Sequence, residues 1–538
     1  MPGRIRVSPT VLIFGTVIFI LMFYNNTFWA KGYEIFSGHI SQFYILVLAV
    51  LSLMVAAFSI FGSRKTLQPF LAFILILSSV SSYYMDNLGV IINRDMVQNV
   101  VSTTVAESKH LITFDFVFQV LVWGILPAIV VFWVKLSTKT FWRTVFVNTG
   151  LFLLCLVLTV GLLLTNFKTY SSVARERKDF MGSHQPGAAL VGTIRYAKMV
   201  LQTRDIVIAP LGMDAKKGTL LTSAKKPVLS LLVIGETARS QNHSLNGYAR
   251  ETNPELAKQP IINFKDVNSC GTATAISLPC MFSKFDRQSY SYKNGVSNEN
   301  MLDVLRYAGM NVEWWDNNTG DKGIAARIKS RKFNNISNAE FCSNGECNDG
   351  IFQQYIEEFA KTITEDTVLV LHLIGSHGPT YYLRYPDEFE KFKPACRTAE
   401  FKNCTPEQIT NSYDNTILYT DHILAQTIDL LSKQDNLLTS LVYISDHGES
   451  LGENGLYLHG APYFMAPETQ TKVPMIVWMS PEYQKQFGID QSCIAKQGDQ
   501  TISHANLFHS MLGMLDIQTD VRKEKLDIFS KCKAQNGS

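Results

Sequence analysis

The sequence has no excess of charge of either sign, because its 49 lysines and arginines stand against 46 aspartates and glutamates in 538 residues. Domains that bind nucleic acid present a strongly basic surface, so this near balance excludes a nucleic-acid partner. Internal repeats and low-complexity tracts are also lacking.

Charged residues are scarce in the first 165 positions, where five long apolar runs occur. These runs are Val11–Tyr24, Phe43–Phe61, Phe70–Tyr84, Phe116–Val134 and Thr144–Leu164. A helix needs about 20 apolar residues to cross the hydrocarbon core, and the third run is the weakest candidate. The runs contain almost none of the paired polar residues that a transporter needs. The sequence therefore predicts a domain of five transmembrane helices and disfavours a transporter.

The basic residues of this region fall on one side of the membrane only if there are five crossings. They are Arg4, Arg6, Arg64, Lys65, Lys135, Lys139 and Arg143. The opposite short loops carry only Lys31, Arg94 and Lys109. By the positive-inside rule, the N-terminus is cytoplasmic and the chain after Leu164 lies outside the cytoplasm. A removed signal peptide is the alternative for the first run, but no small-residue cleavage site follows Tyr24.

Cysteine is lacking from the apolar half except for Cys155, and the other eight cysteines lie in the exported half. Disulfides persist only in oxidising compartments, so this distribution supports export. Of the roughly 105 connectivities that eight cysteines allow, proximity favours three bridges and elimination suggests a fourth. The pairs are Cys270–Cys280, Cys342–Cys347, Cys396–Cys404 and, by elimination, Cys493–Cys532. Zinc binding by the cysteines is the alternative, but the histidines are not interleaved with them at ligand spacing.

The exported half alternates short β-rich runs with helical patterns, which predicts an α/β domain with a largely parallel sheet covered on both faces. The predicted strands are Val228–Ile234, Asn311–Trp315, Thr367–Leu373, Leu441–Ile444 and Pro474–Trp478. The predicted helices include Asn300–Ala308, Ile351–Lys361 and Asn411–Leu431. We therefore predict a membrane domain over 1–165, an amphipathic bridging segment over 166–224 and an exported α/β domain over 225–538.

Three predicted strands end in polar residues flanked by glycine. The segments are Gly235-Glu236-Thr237-Ala238-Arg239, Gly375-Ser376-His377-Gly378-Pro379 and Ser445-Asp446-His447-Gly448-Glu449. Chemistry gathers at the carboxyl ends of parallel strands, and Glu, Asp and His are suitable zinc ligands. Glu236 or Asp446 alone could equally cap a helix. The coincidence of three strand ends favours a metal site.

Five motifs together resemble those of the phosphoethanolamine transferases that decorate lipid A, a family that includes mobile colistin-resistance enzymes. They are Gly-Glu-Thr-Ala-Arg, Ser269-Cys-Gly-Thr-Ala-Thr-Ala275, Gly-Ser-His-Gly-Pro, Ser-Asp-His-Gly-Glu and Leu458-His459-Gly460-Ala461-Pro462. The resemblance covers essentially the whole chain. It implies five membrane helices and an alkaline-phosphatase-like periplasmic domain, in a multi-pass protein of the bacterial inner membrane.

The resemblance implies that one zinc ion is firmly held by Glu236, Thr274, Asp446 and His447. Thr274 would also be the nucleophile that becomes phosphoethanolaminylated. Zinc lowers the pKa of a coordinated hydroxyl, which makes a threonine a competent nucleophile. Thr272 is the alternative nucleophile, and only the alignment to the family motif favours Thr274.

The same resemblance implies residues that contact the substrates. Lys322, His377, His459 and Thr319 would bind phosphate, with His377 and His459 holding additional zinc when it is supplied. Asn99 and Glu107 would hold the ethanolamine headgroup. A solvated surface charge is the alternative for Lys322 and Glu107. The remaining histidines, which we interpret as structural, are His243, His372, His422, His504 and His509.

The reaction that the resemblance implies is transfer of phosphoethanolamine from phosphatidylethanolamine to lipid A, with resistance to polymyxin and colistin as the outcome. We expect the enzyme to act as a monomer. A transferase for the lipopolysaccharide core and a phosphoglycerol transferase are the alternatives. A sulfatase is disfavoured, because residues 274–278 lack the Cys or Ser followed by x-Pro-x-Arg that formylglycine formation needs.

Overall fold

The computed structural model describes residues 5–63, 65–137, 140–333, 336, 338, 340–343 and 345–533. Of the basic residues used to predict the topology, Arg4, Arg64 and Lys139 lie outside the described residues. Contacts divide the chain into two units, one of Met1–Val97 with Ile112–Ala197 and the other of Gln98–Leu111 with Lys198–Ser538. These units follow contacts rather than chain order, and the predicted bounds at 165 and 224 stay a prediction.

The first unit consists of helices that match the apolar runs. They are Pro9–Phe23, Asn26–Ile35, Ile40–Ser59, Leu67–Leu88, Phe114–Trp133 and Phe141–Leu164. Within the described residues, four helices are long and apolar enough to cross a membrane. A fifth span results if the first two helices, which meet at 69°, are counted as one. The predicted helical membrane domain is confirmed, with four helices that can span a membrane, or five if the bent pair forms one span.

Local sequence sets where these helices begin and end. Pro9 opens the first helix, and the Ser8 hydroxyl accepts a hydrogen bond from the Val11 N–H at 3.2 Å. A serine cap followed by proline is a favoured helix start. The helix Leu67–Leu88 ends at Gly89, whose φ of 70° lies in the left-handed region where glycine is unstrained. Two shorter helices, Arg94–Ser102 and Val105–Leu111, follow the helix Leu67–Leu88. Three more follow Phe141–Leu164, namely Phe167–Glu176, Lys178–Met181 and Gly187–Thr203.

The second unit is built on a sheet of eight strands. They are β1 (Val228–Gly235), β2 (Ile262–Asn268), β3 (Asn311–Asp316), β4 (Lys329–Lys332), β5 (Thr367–His372), β6 (Leu438–Ser445), β7 (Lys472–Met479) and β8 (Ile502–Ser503). Their order across the sheet is β8-β2-β7-β6-β1-β5-β3-β4. Only β7 runs antiparallel to its neighbours β6 and β2, so the prediction of a largely parallel sheet is confirmed.

Helices cover both faces of this sheet. They include Thr274–Met281, Met301–Tyr307, Ile351–Thr362, Pro406–Ser432, Pro481–Phe487 and His504–Met514. Alternate residues of the fully buried strand β1 enter different cores: Leu232 packs into one apolar cluster and Leu231 into the other. A strand buried on both faces needs apolar residues at every position, because successive side chains point to opposite faces. This explains the unbroken run Val228–Ile234.

The sequence patterns did not predict β2, β4 or β8. In β4 all four residues, Lys-Ser-Arg-Lys, are exposed at the end of the sheet. Charged side chains protect edge strands from pairing with other chains, so such a strand carries no apolar signal.

The four predicted disulfides are all present. They are Cys270–Cys280, Cys342–Cys347, Cys396–Cys404 and Cys493–Cys532. Cys155 is a buried free thiol. The fourth pair, proposed by elimination, joins residues 39 positions apart and is confirmed by the fold.

Candidate metal and catalytic site

Three neighbouring parallel strands deliver the predicted site residues to one edge of the sheet. β1 lies between β6 and β5, with Gly235 in register with Ser445 and Ile234 in register with His372. The residues that follow each strand therefore emerge side by side. Thr274 reaches the same place by another route, as the first residue of the helix Thr274–Met281.

The four predicted zinc ligands form one cluster. Thr274 Oγ1 lies 3.1 Å from Glu236 Oε2 and 3.3 Å from His447 Nε2. His447 Nε2 in turn lies 3.4 Å from Asp446 Oδ2. Potential ligand atoms of Glu236, Asp446 and His447 all lie within 4.8 Å of one another, and all three residues are fully buried. The fold thus brings together side chains as far apart in sequence as Glu236 and His447.

The cluster has an excess of buried negative charge that a cation would balance. Burial raises the pKa of Glu236, and the charge of Asp446 raises it further. Burial also raises the pKa of Asp446 to about 6. In the described part of the chain, Asp446 Oδ2 has no hydrogen-bond partner. Two desolvated carboxylates with a free oxygen are unfavourable without a counter-charge. Two carboxylates, one imidazole and one hydroxyl form a donor set that fits zinc.

Neighbouring groups orient these side chains for metal binding. His447 Nδ1 lies 2.9 Å from the Gly448 carbonyl, and donation to that oxygen leaves Nε2 free to face the cluster. Burial lowers the pKa of His447, which favours the neutral imidazole that can ligate a metal. Asn318 Nδ2 donates to Glu236 Oε2 at 2.7 Å and to the Leu373 carbonyl at 2.8 Å. A metal site here would be held by a shell of fixed hydrogen bonds.

Asn318 was not identified as a site residue from the sequence. It lies in the turn after β3, where a second buried group supports it: His372 Nε2 is 3.3 Å from its Nδ2, and His372 Nδ1 is 3.0 Å from Asp316 Oδ2. The available signal was the run Asp316-Asn-Asn-Thr-Gly-Asp-Lys322 directly after a predicted strand. An amide at a strand end indicates a metal or catalytic site less clearly than a carboxylate or an imidazole does, because an amide is not a common zinc ligand.

Two further imidazoles lie beside the cluster. His377 Nε2 is 3.3 Å from Glu107 Oε1, and His459 Nδ1 is 2.9 Å from Glu449 Oε2. The ring of His459 lies 4.5 Å from that of His447 and 5.8 Å from that of His377, between centroids. Burial alone would lower the pKa of His459, but the charge of Glu449 raises it. A protonated His459 would therefore add positive charge next to His447.

Glu107 belongs to the second unit although it lies between two membrane helices in sequence. Burial alone would raise the pKa of Glu107, but the charge of His377, its hydrogen bond and the charge of His459 lower it. Lys322 Nζ donates to the Thr319 carbonyl at 2.9 Å and to its hydroxyl at 2.8 Å. Burial lowers the pKa of Lys322, against the effect of Glu236 and Glu107. The ammonium of Lys322 thus lies close enough to Glu236 and Glu107 to interact with their charges.

A cavity of about 260 Å³ lies beside Glu107 and His377. It is lined by Thr104, Glu107, Asn317, Asn318, Thr319, Lys332, Gly345, Glu346, Ile374 and His377. Three of the predicted substrate residues, Glu107, Thr319 and His377, share this wall. A cavity that holds a carboxylate and an imidazole can accept a group with both an ammonium and a phosphate.

The other predicted residues are placed as follows. Thr272 donates its hydroxyl to the Ala461 carbonyl at 2.6 Å, so this alternative nucleophile is engaged with backbone. Within the described residues, no contact joins the Asn99 side chain to the cluster, and its role stays a prediction. Its neighbour Gln98 was overlooked, although its amide lies 3.4 Å from the carbonyl of Ala275 in the helix Thr274–Met281.

The remaining histidines lie outside the cluster. His504 Nε2 contacts the Ser445 carbonyl at 2.9 Å, and His422 Nδ1 pairs with Glu255 at 2.9 Å. His509 Nδ1 accepts the Lys523 N–H at 3.0 Å. His243 is buried, with neither ring nitrogen bonded among the described residues. Their assignment as structural residues stays a prediction.

Comparison with known proteins identifies both parts of the chain. The Sulfatase family profile matches residues 229–517, which contain the sheet and the cluster. The profile described as phosphoethanolamine transferase EptA/EptB matches residues 50–200. An alkaline-phosphatase-like and sulfatase-like catalytic domain therefore follows an N-terminal region specific to phosphoethanolamine transferases.

Similar proteins match over nearly the full length. The chain is 40% identical to phosphoethanolamine transferase EptA of Escherichia coli K12 over 497 residues, which is 90% of this chain and 91% of that protein. It is 32% identical to phosphatidylethanolamine transferase Mcr-1 of Escherichia coli, over 97% of each chain.

The solved structure of the integral membrane protein lipooligosaccharide phosphoethanolamine transferase A from Neisseria meningitidis superposes with a TM-score of 0.95. It is 33% identical and covers 99% of this chain and 100% of its own. The same architecture makes this chain a multi-pass protein of the inner membrane with a periplasmic catalytic domain. The chain belongs to the EptA family of membrane-embedded phosphoethanolamine transferases.

Proposed function

We propose that this enzyme transfers phosphoethanolamine from phosphatidylethanolamine to a phosphate of lipid A, through a phosphoethanolaminyl-Thr274 intermediate. The observation that carries the proposal is the contact of Thr274 Oγ1 with Glu236 and His447 at the edge of the sheet. The name of the relative Mcr-1 supports phosphatidylethanolamine as the donor. The Neisseria enzyme, named for lipooligosaccharide, supports an acceptor of this class.

Glu236, Thr274, Asp446 and His447 would hold one zinc ion. Bound there, zinc would supply the positive charge that lowers the pKa of a hydroxyl and offsets negative charge on phosphoryl oxygens. A hydrogen bond from Asn318 positions the carboxylate of Glu236, and a hydrogen bond from the backbone N–H of His447 positions that of Asp446. His377 and His459 would hold additional zinc when it is supplied.

In the first half-reaction, Thr274 Oγ1 loses its proton and attacks, as the alkoxide, the phosphorus of phosphatidylethanolamine, and the bond from phosphorus to the diacylglycerol oxygen breaks. Thr274 is at the N-terminal end of its helix, where the positive end of the helix dipole faces the incoming phosphate. An imidazole of the pair His377 and His459 hands a proton to the departing oxygen. Lys322 and Thr319 bind the phosphate, and Glu107 binds the ethanolamine ammonium.

In the second half-reaction, a phosphate oxygen of lipid A attacks the phosphorus and releases Thr274. Each modification adds an amine and reduces the negative charge of lipid A. Cationic peptides such as polymyxin and colistin would then bind more weakly, so we expect the modification to confer resistance to them. Both substrates are membrane lipids, which accounts for a catalytic domain joined to membrane helices in one chain. We propose that a monomer suffices.

The test is mass spectrometry of lipid A from cells that express the enzyme, its Thr274→Ala variant or an empty vector. We expect one added phosphoethanolamine mass on lipid A only with the intact enzyme. Unmodified lipid A together with a modified lipopolysaccharide core would favour the core transferase instead. A phosphoglycerol adduct would overturn the proposed donor.

A further inference from the structure

A closed ring of contacts surrounds the imidazole of His377. Its first part is the short helix Val105–Leu111, which carries Glu107 and His110 three residues apart. Residues at this spacing lie on one face of a helix. Glu107 Oε1 is 3.3 Å from His377 Nε2, and His110 Nε2 is 2.9 Å from Glu346 Oε2.

Arg384 closes the ring from the other side. Its Nη1 donates to the same oxygen of Glu346 at 2.9 Å, and its Nε donates to the backbone carbonyl of His377 at 2.8 Å. The Arg384 side chain is almost fully buried. The ring of contacts therefore begins and ends at His377. It passes from the His377 ring to Glu107, along the helix to His110, and then through Glu346 and Arg384 to the His377 backbone.

Glu346 is the residue at which the two arms of the ring meet. It lies in the hairpin Cys342–Ser343 and Glu346–Cys347, whose strands are joined by the disulfide Cys342–Cys347. Burial alone would raise the pKa of Glu346, but His110 and Arg384 lower it to about 2. Glu346 is thus an ionised acceptor of two hydrogen bonds, and bonds to a charged group are stronger than neutral ones.

We infer that Glu346 is a positioning residue, which fixes the helix Val105–Leu111 against the loop of His377 and so places Glu107 for binding the headgroup. The inference rests on the proposed function, in which Glu107 and His377 contact the donor. Glu107, Glu346 and His377 line the same cavity, so a shift of the helix changes the shape of the space the donor enters. Nothing in the sequence pattern relates Glu346 to that space.

A purely structural role for Glu346 makes different predictions. If Glu346 only stabilised the hairpin, the effect of its replacement on KM would add to that of a change at Glu107. If Glu346 acts through Glu107, the two effects are not independent, because residues in one network do not behave additively.

The kinetic test uses purified full-length enzyme and a fluorescent phosphatidylethanolamine, and measures release of the fluorescent diacylglycerol. We expect Glu346→Gln to raise KM for this donor about tenfold, the size typical of one lost charged hydrogen bond. We expect kcat to change by less than about threefold. In the Glu107→Gln background, Glu346→Gln should have no further effect on KM. The matched control is Glu255→Gln, which breaks the remote pair with His422 and should leave KM unchanged.

A second measurement does not depend on turnover. Hydrogen exchange followed by mass spectrometry should show faster exchange of amides 105–111 in Glu346→Gln than in wild type, and no change there in Glu255→Gln. Unchanged exchange in this helix, or fully additive KM effects, overturns the inference while leaving the proposed function intact. A wild-type enzyme that releases no diacylglycerol counts against the proposed function, and the exchange result still decides the role of Glu346.

Discussion

Thr274 and Glu236 lie 38 positions apart in sequence, yet the Thr274 hydroxyl lies 3.1 Å and 3.2 Å from the two carboxylate oxygens of Glu236. The contact joins the end of a central strand to the start of a helix that follows a different strand. A hydroxyl held against a buried carboxylate and an imidazole is in the place where a nucleophile and its metal ion would meet.

The nucleophile prediction follows directly from this contact. Thr274→Ala removes the attacking oxygen, so we expect modification of lipid A to fall by roughly 10³-fold or more. Intact-protein mass analysis after incubation with phosphatidylethanolamine should show a phosphoethanolamine adduct on Thr274 in wild type and none in the variant. Thr272→Ala is the matched control, because Thr272 bonds to backbone, and it should keep the adduct. An adduct that maps to Thr272 would show that Thr272, and not Thr274, is the nucleophile.

The metal prediction concerns zinc content rather than turnover alone. Glu236→Ala and His447→Ala each remove one donor from the cluster, so both should lower the zinc that copurifies with the protein, measured by elemental mass spectrometry. Excess zinc should partly restore activity to these variants and not to Thr274→Ala. Treatment with a chelator should inactivate wild type, and zinc should restore it. A wild-type protein with full activity and no bound metal would contradict the ligand assignment.

The disulfide prediction separates stability from site geometry. Replacing both cysteines of the pair Cys396–Cys404 by serine should lower stability by about 2 to 3 kcal/mol, the loop-entropy value for so short a loop. The pair Cys270–Cys280 spans the loop that carries Thr274, so its loss should reduce activity in protein that is still folded. Thermal unfolding and activity at one temperature check the two effects. If both variants lost the same activity for the same decrease in melting temperature, the Cys270–Cys280 disulfide would have no separate effect on the site.

The pH prediction concerns Glu346, whose pKa is about 2 in the folded protein. An unfolded glutamate has a pKa of about 4.3. The folded state therefore binds fewer protons than the unfolded state, so the ionised group adds stability above the unfolded pKa, and this is lost as the pH falls toward 2. We expect the melting temperature of wild type to exceed that of Glu346→Gln at pH 7 and the difference to shrink below pH 5. A difference that is constant from pH 7 to pH 3 would contradict the assignment.

The topology prediction uses reporter fusions at two positions. A fusion at Lys65 should report a cytoplasmic location and a fusion at Lys226 a periplasmic one, because the basic residues of the short loops lie on one side. A phosphatase reporter, active only in the periplasm, and a fluorescent reporter, active only in the cytoplasm, give opposite readings at the two sites. The reverse pattern would overturn the direction of insertion.

Local patterns predicted the parts of the fold in which each residue carries its own signal. The uninterrupted apolar strand Val228–Ile234 and the charge-free run Phe43–Phe61 are examples, because a strand buried on both faces and a helix long enough to cross a membrane both require apolar residues throughout. The exposed edge strand Lys329–Lys332 was missed for the same reason, since an exposed strand can be fully polar. Family motifs, rather than spacing, distinguished Thr274 from Thr272.

By itself, the sequence determined the membrane and exported halves, the cysteine pairs close in the chain and the chemical types at the strand ends, because these depend on composition and short-range order. Only the tertiary structure decided which side chains meet. In the structure, Asn318 donates a hydrogen bond to Glu236, and Glu107 pairs with His377. Glu346 contacts both His110 and Arg384. These contacts link residues from separate strands, loops and a short helix between membrane segments. Contacts of this kind depend on distances across the fold, which no local pattern of residues encodes.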